Sequence, residues 1–498
     1  MRRLPLAYHS VTLSGTLKTL ETMPRLHRRA FLSAAAAAFA APALAATTSP
    51  STAFDVVIIG AGAAGIAAAR RIAAAGRRYI VLEAADHVGG RCITDSRIFG
   101  LPYDLGAHWI HNPNLNPVTK LGTRHGVEVY PAPASQQVRI GRRYAREGEM
   151  EDFLAAQVRA DRAIMDAARK ADVACEQTLP NDLGDWRPAV EFVLGPYTCG
   201  KELEQVSTLD FARAQEREAD AFCRQGFGAL VAALADGIAV KRSTPALAID
   251  SRRNVTVETP NGTITARAVI ITVSTNVIAS GALRFTPELA AGHHEMFGKL
   301  SLGSFDHIGL ELGDNALGFE SDDLVFEKSA DKRTAAILAN VGGTRLCMVQ
   351  VAGTFGRELS EQGEAAMVDF AADWLAGLYG ADVKKAVKRS HATRWNHNPL
   401  ALGAFSAAAP GWQKARRMLM APVNDSVWFA GEALHETQWG TVGGAWESGE
   451  RAADAALRRL GGAKEAPAAE ASPPIRPKPR APHTRHQEIG AAPGIFTR

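Results

Sequence analysis

The stretch VVIIGAGAAGIAAARR, Val56–Arg71, sets three glycines behind four apolar residues and then runs on in small residues and arginines. The apolar, β-branched run Phe54–Ile59 predicts a buried strand. Ile66–Ala75 predicts a helix stopped by Gly76, and Tyr79–Glu83 a second strand. Strand, glycine turn, helix and strand in this order open a doubly wound sheet. Gly60 permits the tight turn, and Gly62 lets backbone approach a pyrophosphate. Gly65 lets the helix pack on the strand, and the helix N-terminus, with Ala63 and Ala64, faces the phosphates. Glu83 lies 18 residues past Gly65. A carboxylate there takes both ribose hydroxyls and repels a 2′-phosphate, which disfavours NADP.

The chain has 498 residues, 46% of them hydrophobic, and a formal charge of +4. That is enough for a large core and too much for one simple domain. The charge is uneven. Residues 1–46 hold six basic residues and one acid, and residues 464–498 six and three. The ends carry +5 and +3, so the body is at −4. A body of that sign is a poor nucleic-acid binder and tolerates a cationic substrate. The segment RLHRRAFLSAAAAAFAAPALAA, Arg25–Ala46, has paired arginines (Arg28, Arg29), a weakly apolar run and Ala43-Leu44-Ala45 as a cleavage site. It predicts a twin-arginine export signal over 1–46, translation from Met23, and a periplasmic or secreted protein that engages the export machinery. Five cysteines show no C-x-x-C and no metal spacing, so no metal is expected; an oxidising compartment permits a disulfide, which sequence cannot pair. No apolar run predicts a membrane span.

Further elements are expected as helices over Glu151–Ala174, Gly228–Ala235, Glu364–Leu378 and Gly443–Leu457. Strands are expected over Ala246–Asp250, Thr256–Glu258, Ala268–Val273, Ile308–Leu312, Leu346–Val351 and Val427–Ala430. From Gly461 a Pro- and Ala-rich tail predicts disorder.

Past Glu83 and Ala84, Gly89-Gly90-Arg91 brings a second close backbone and a fixed cation to the same pyrophosphate. Here the chain resembles the flavin-containing amine oxidase family, which carries the glycine turn, the acidic residue and then G-G-R-x-x-[ST], with Thr94 in the last place. The resemblance returns in DLGAHWIHNPNLNPV (Asp104–Val118), RWNHNPLALGAFS (Arg394–Ser406) and FAGEALHETQWGTVGGAWESGERAA (Phe429–Ala453). It spans residues 54–457. It implies two interleaved domains: a doubly wound FAD-binding domain (52–130, 225–285, 422–460) and a substrate domain of mixed sheet plus helices (131–224, 286–421).

The resemblance also implies roles. Gly106, Ala107, His108 and Trp109 join the FAD-binding set. Gly431 and Glu432 meet the ribityl-phosphate region, backbone at Thr441 and Val442 faces the flavin N1–C2=O edge, and Ala246 meets adenine. A helix N-terminus beside N1 favours the negative charge gained on reduction. Trp395 packs beside the flavin ring. Phe405 forms one wall of an aromatic cage for the amine, and Thr441 stands where some members have the second. Ala404 replaces the cysteine that attaches flavin in monoamine oxidases, so FAD is expected to be non-covalent. GAHWIHNPNLNPV looks most like spermine and acetylpolyamine oxidases, and His111 matches their substrate-site histidine, able to bind or deprotonate a cationic amine.

Two positions depart from the family. His307 stands where a lysine usually holds water at flavin N5, which leaves open either the same service or weakened oxygen activation. Ser274 replaces a strand-end proline. The implied activity is oxidation of an amine, polyamine-like by preference, to an imine and then an aldehyde, with O2 reduced to H2O2. Alternatives are an amine dehydrogenase using a periplasmic electron acceptor, and an L-amino-acid oxidase, which needs a cation for the carboxylate from among Arg159, Arg162 and Arg187. A flavoprotein without turnover and a desaturase fit the polar HWIHN segment and the retained aromatics less well.

Overall fold

The computed structural model describes residues 54–133, 136–215 and 219–461. The expected export signal and the tail beyond Gly461 lie outside the described residues. Strand β1 (Phe54–Ile59) ends at Gly60, whose φ is +101°. Helix α1 (Ala63–Ala74) begins three residues before the expected start. Ala63 and Ala64 carry no apolar periodicity, yet alanine is the best helix former, and Gly62 serves as the cap. Strand β2 (Tyr79–Leu82) pairs parallel with β1, and Glu83 falls just past its end.

These elements belong to an eight-stranded sheet. Its order is Val240–Lys241, β2, β1, β3 (Gly262–Ile271), Val255–Thr259, Ala248–Asp250 and Arg284–Thr286, and a further strand pairs with β3. Strand β3 does two jobs. Its first half returns antiparallel on Val255–Thr259 after the Asn261-Gly262 turn, and its second half runs parallel to β1. Val56–Ile59 and Ala268–Ile271 are buried and uniformly apolar, as central parallel strands with both faces covered require.

A second, seven-stranded sheet is drawn from other segments. Its order is Val387–Ala392, β4 (Phe305–Leu312), Leu346–Ala352, Ala336–Ala339, Asp323–Glu327, Gln136–Ile140 and Arg143–Tyr144. Helix α2 (Glu147–Ala168) starts four residues before the expected helix and ends six before it. Glu149 accepts the Arg146 backbone N–H at 2.8 Å and caps it, and the chain after Ala168 breaks into 3-10 turns. The last strand, β5 (Val427–Phe429), runs parallel to β3 and leads to helix α3 (Val442–Arg459). A Cβ on Gly449 of α3 would lie 2.0 Å from the Ala64 carbonyl oxygen. Only glycine lets α3 lie so close against α1, and that contact brings the starts of both helices to one cavity. All five cysteines are buried free thiols. Among the described residues no helix is long and apolar enough to cross a membrane.

Candidate active site

The glycine turn is built by contact distances. A Cβ on Gly60 would lie 2.5 Å from Thr272 Oγ1, and one on Gly65 would lie 1.9 Å from the Gly60 carbonyl oxygen. Gly62 caps α1 with no side-chain bond, so the first N–H groups of the helix face open space. A Cβ on Gly90 would come within 3.2 Å of Gly62 Cα, so the two glycine turns make one cradle. Gly60, Gly62, Ala63, Ala64, Ala84 and Gly90 line a cavity of about 420 Å³. Gly65 does not line it; its role is packing. Glu83 lines it too, but its carboxylate already accepts the N–H groups of Ala61 (2.6 Å) and Ala85 (2.8 Å). The remaining lone pairs of its two oxygens are what it can offer a ribose.

Arg91 lines the cavity, and its guanidinium is fixed there by donating to the Ala404 carbonyl (2.7 Å) and to Glu432 Oε1 (2.9 Å). Glu432 turns into the protein, where it accepts the Ser406 hydroxyl (2.7 Å) and the Gly440 N–H (2.9 Å). Burial pushes its carboxyl up, but Arg91, Ser406 and Arg416 together hold it below the usual range. Arg416 continues the network to Asp210 through two 2.7 Å bonds, both side chains fully buried. A buried pair this well bonded fixes geometry more than it adds stability. It braces the cavity wall formed by Ala404, Phe405 and Gly431.

At Trp395, a Cβ on Gly106 would lie 3.0 Å from the indole, so glycine admits the ring. The indole N–H donates to the Leu105 carbonyl at 2.8 Å. His307 faces the same cavity, with Nδ1 2.9 Å from the Asp104 carbonyl oxygen, so Nδ1 carries the proton and Nε2 is the acceptor. Burial pushes its pKa down to about 4, so the ring is neutral. Lys299, the nearest lysine before it in sequence, lies over the Trp412 ring and does not line the cavity. The Asp104 side chain binds His108 Nδ1 (2.7 Å), Thr94 Oγ1 (2.5 Å) and the Phe227 N–H (3.1 Å). Those bonds outweigh burial and keep Asp104 ionised. His108, expected to bind cofactor, is therefore held by Asp104 and stacked on Phe222, with its edge on the cavity beside Ala107 and Trp109.

His111 pairs across a short antiparallel ladder with Asp220, so both side chains share a face, and Nδ1 lies 2.6 Å from Oδ1. Phe405 packs against Phe305 at 5.8 Å, and Phe305 against Tyr197 at 5.6 Å; all three rings line the cavity. Sequence reading missed Phe305, Tyr197 and Asp220. Phe305 was within reach, because it lies two residues before His307 on one strand face. Tyr197 ends a five-residue π-helical turn containing Pro196, which no local pattern announces. The Thr441 hydroxyl accepts the Gly444 N–H (2.9 Å) and donates to the Gln438 carbonyl (2.8 Å), capping α3. Thr441 and Val442 line the cavity, as does Ala246. Ser274 uses the freedom gained from proline to cap the next short helix and to bond the Ala401 carbonyl.

One cavity thus receives a glycine cradle, two helix N-termini, the Glu83 carboxylate, Trp395 and a neutral His307. The cradle that a Cβ would fill suits a dinucleotide pyrophosphate, and the start of α3 suits an electron-rich ring edge. Fold and site together define a flavoprotein oxidoreductase. The chain belongs to the flavin containing amine oxidoreductase family, whose description matches residues 63–457. Its cofactor is FAD, and it is an FAD-dependent amine oxidoreductase. It is 25% identical to polyamine oxidase 4 of Oryza sativa subsp. japonica over 444 residues, covering 81% of this chain and 89% of that one. It is 27% identical to polyamine oxidase 2 of Arabidopsis thaliana over 452 residues, 81% and 88% of the two chains. Among solved structures, the cyclohexylamine oxidase of Brevibacterium oxydans superposes with a TM-score of 0.70 at 20% identity, covering 82% and 99%. Putrescine oxidase bound to putrescine gives 0.68 at 18% identity, covering 81% and 99%.

Proposed function

We propose that the protein oxidises a cationic amine, polyamine-like by preference, to an imine that hydrolyses to an aldehyde and a shorter amine. The observation that carries this is the pairing of His111 with Asp220 at a cavity walled by Phe405, Phe305 and Tyr197. An ammonium has no lone pair with which to expel hydride. The apolar walls disfavour its charge, and His111, its ring held by Asp220, takes the proton. Phe405 and Trp395 orient the neutral amine, and exclusion of water protects the imine until release. FAD held by the glycine cradle and the start of α3 would supply the hydride acceptor, with O2 as the final two-electron oxidant and H2O2 as its product. Ala404 offers no nucleophile, which supports FAD held without a covalent bond. His307 offers a neutral acceptor nitrogen, which supports a bound water at the reacting end. The names of the curated relatives support the polyamine preference.

A second substrate reading rests on one observation. The two acids lining the cavity, Glu83 and Glu432, are both committed to other partners. A second ammonium meets no open carboxylate on that lining, which favours a monoamine with an apolar body. An amino acid is disfavoured. Among the described residues the lining holds one arginine, Arg91, already paired, and no lysine. Arg187 pairs with Glu191 and Arg159 lies beside Asp182, and neither they nor Arg162 line the cavity.

Export by the twin-arginine route is proposed alongside, on Arg28 and Arg29. One experiment reads both. The full chain is expressed, cells are fractionated, and the periplasmic fraction is offered spermidine, putrescine, cyclohexylamine and leucine with peroxide detection. Peroxide from spermidine or putrescine in that fraction is expected. Turnover of cyclohexylamine alone selects the monoamine reading, turnover of leucine alone overturns the amine reading, and activity confined to the cytoplasm overturns export.

A further inference from the structure

Asp306 precedes His307 on β4 and points to the opposite face of the strand. It is fully buried. Its Oδ1 accepts the Trp395 backbone N–H at 2.8 Å and the Thr393 hydroxyl at 2.9 Å, while Oδ2 has no partner. The same Thr393 oxygen accepts the His307 N–H at 2.9 Å, and the Thr393 N–H donates to the His307 carbonyl at 2.9 Å. One carboxyl and one hydroxyl therefore fix the main chain of both Trp395 and His307, which face the cavity from its reacting end. Ionised, the carboxyl holds its two donors by charge-assisted bonds but leaves a buried charged oxygen unpartnered; neutral, it relieves that burden and holds them more weakly.

We propose that Asp306 is a positioning residue, whose change of charge couples pH to the placement of Trp395 and His307. The charged and titratable groups around it come from five elements. Arg394 lies on the Trp395 segment, Arg357 on the helix Gly353–Gln362, and His307 is its neighbour on β4. Tyr103, on the strand Tyr103–Asp104, feels both its charge and that of Glu364, on the helix Glu364–Tyr379, whose carboxylate accepts the Ala392 N–H. Burial raises the Asp306 carboxyl to about 6, against the pull of the Trp395 N–H, the Thr393 hydroxyl and the two arginines. His307, held neutral down to about 4, contributes no inflection in that window. His108 and His111 also face the cavity, so the assignment needs variants.

The experiment is a pH titration of the visible absorbance and circular dichroism of bound flavin, without substrate, between about pH 5 and 8. It compares wild type, Asp306→Asn and Thr393→Val holoenzyme. Wild type is expected to show an inflection near pH 6 that Asp306→Asn lacks. Thr393→Val removes a donor that favours the ionised form, so its inflection moves up. An inflection that persists in Asp306→Asn, or one that Thr393→Val leaves in place or lowers, overturns the proposal. Stability supplies a second reading. The folded value lies above that of the unfolded chain, so wild type loses stability as pH rises from about 4 to about 6 and no further beyond. Asp306→Asn therefore gains in thermal midpoint relative to wild type across that range; a gap constant between about pH 4 and 6 overturns the proposal. The inference rests on the flavin site assigned above. The titration reads bound flavin without turnover, so a protein that oxidises no amine at all still answers it.

Discussion

Gly65→Ala is expected to purify without its flavin colour. The new Cβ would sit 1.9 Å from the Gly60 carbonyl oxygen, far inside contact distance, and the obstacle is backbone rather than a side chain that can swing away. Helix α1 must then lift from β1 or the turn must open. Either movement displaces the helix N-terminus from the pyrophosphate it faces. Overpacking against backbone sits at the upper end of the usual range, about 3 kcal/mol. If that strain falls on the bound state, it lowers FAD affinity by about 100-fold. The measurement is the ratio of flavin to protein absorbance after gel filtration, followed by titration of the stripped protein with FAD. Gly377→Ala is the control. It lies inside the helix Glu364–Tyr379, and a Cβ there meets nothing within 4 Å. That variant should bind FAD as wild type does and gain about 0.5–1 kcal/mol of stability. Wild-type flavin content in Gly65→Ala would show that the turn does not hold the cofactor.

The second large effect belongs to His307. In His307→Ala, reduction of the enzyme by amine is expected to change little, while its reoxidation by O2 slows by about 100-fold, the usual size of a lost positioned acid–base group. Rapid-mixing measurements of the two half-reactions separate these. Because burial holds the ring neutral down to about 4, His307 itself gives no inflection in either half-reaction between about pH 5 and 8. Stability carries the opposite mark. The folded state resists protonation that the unfolded chain accepts near its ordinary value. The contribution is therefore whole above about pH 6.5 and is lost as pH falls from there to about 4. His307→Ala removes that acid sensitivity. Unchanged reoxidation in this variant would leave the nitrogen without a role in O2 chemistry.

The reading of Val56–Arg71 succeeded because its tightest demand is local: a Cβ on Gly65 would strike the Gly60 carbonyl five residues back, and Gly60 itself turns at a φ of +101°. The βα turn is local, and so is its signature. The cavity list was legible for the same reason: Gly60, Glu83, Gly106, Trp395, Phe405 and Thr441 lie in short motifs that the chain must keep together to make one surface. What sequence could not give was the partner of each side chain. Arg91 and Glu432 lie 341 positions apart, His111 and Asp220 109 apart. Charge and type alone do not say that the first pair neutralises itself or that the second forms a dyad. Thr441 shows the converse. A hydroxyl placed three residues before a helical N–H is a cap by local rule, and the Thr441 hydroxyl does accept the Gly444 N–H.

The most direct measurement is anaerobic. Purified holoenzyme is mixed without oxygen with an excess of each amine in turn, the visible flavin band is followed, and air is then admitted. The account predicts that at least one amine bleaches the band, that no amino acid does so faster, and that air restores it with release of hydrogen peroxide. A flavin that dithionite bleaches normally but no amine touches would contradict it.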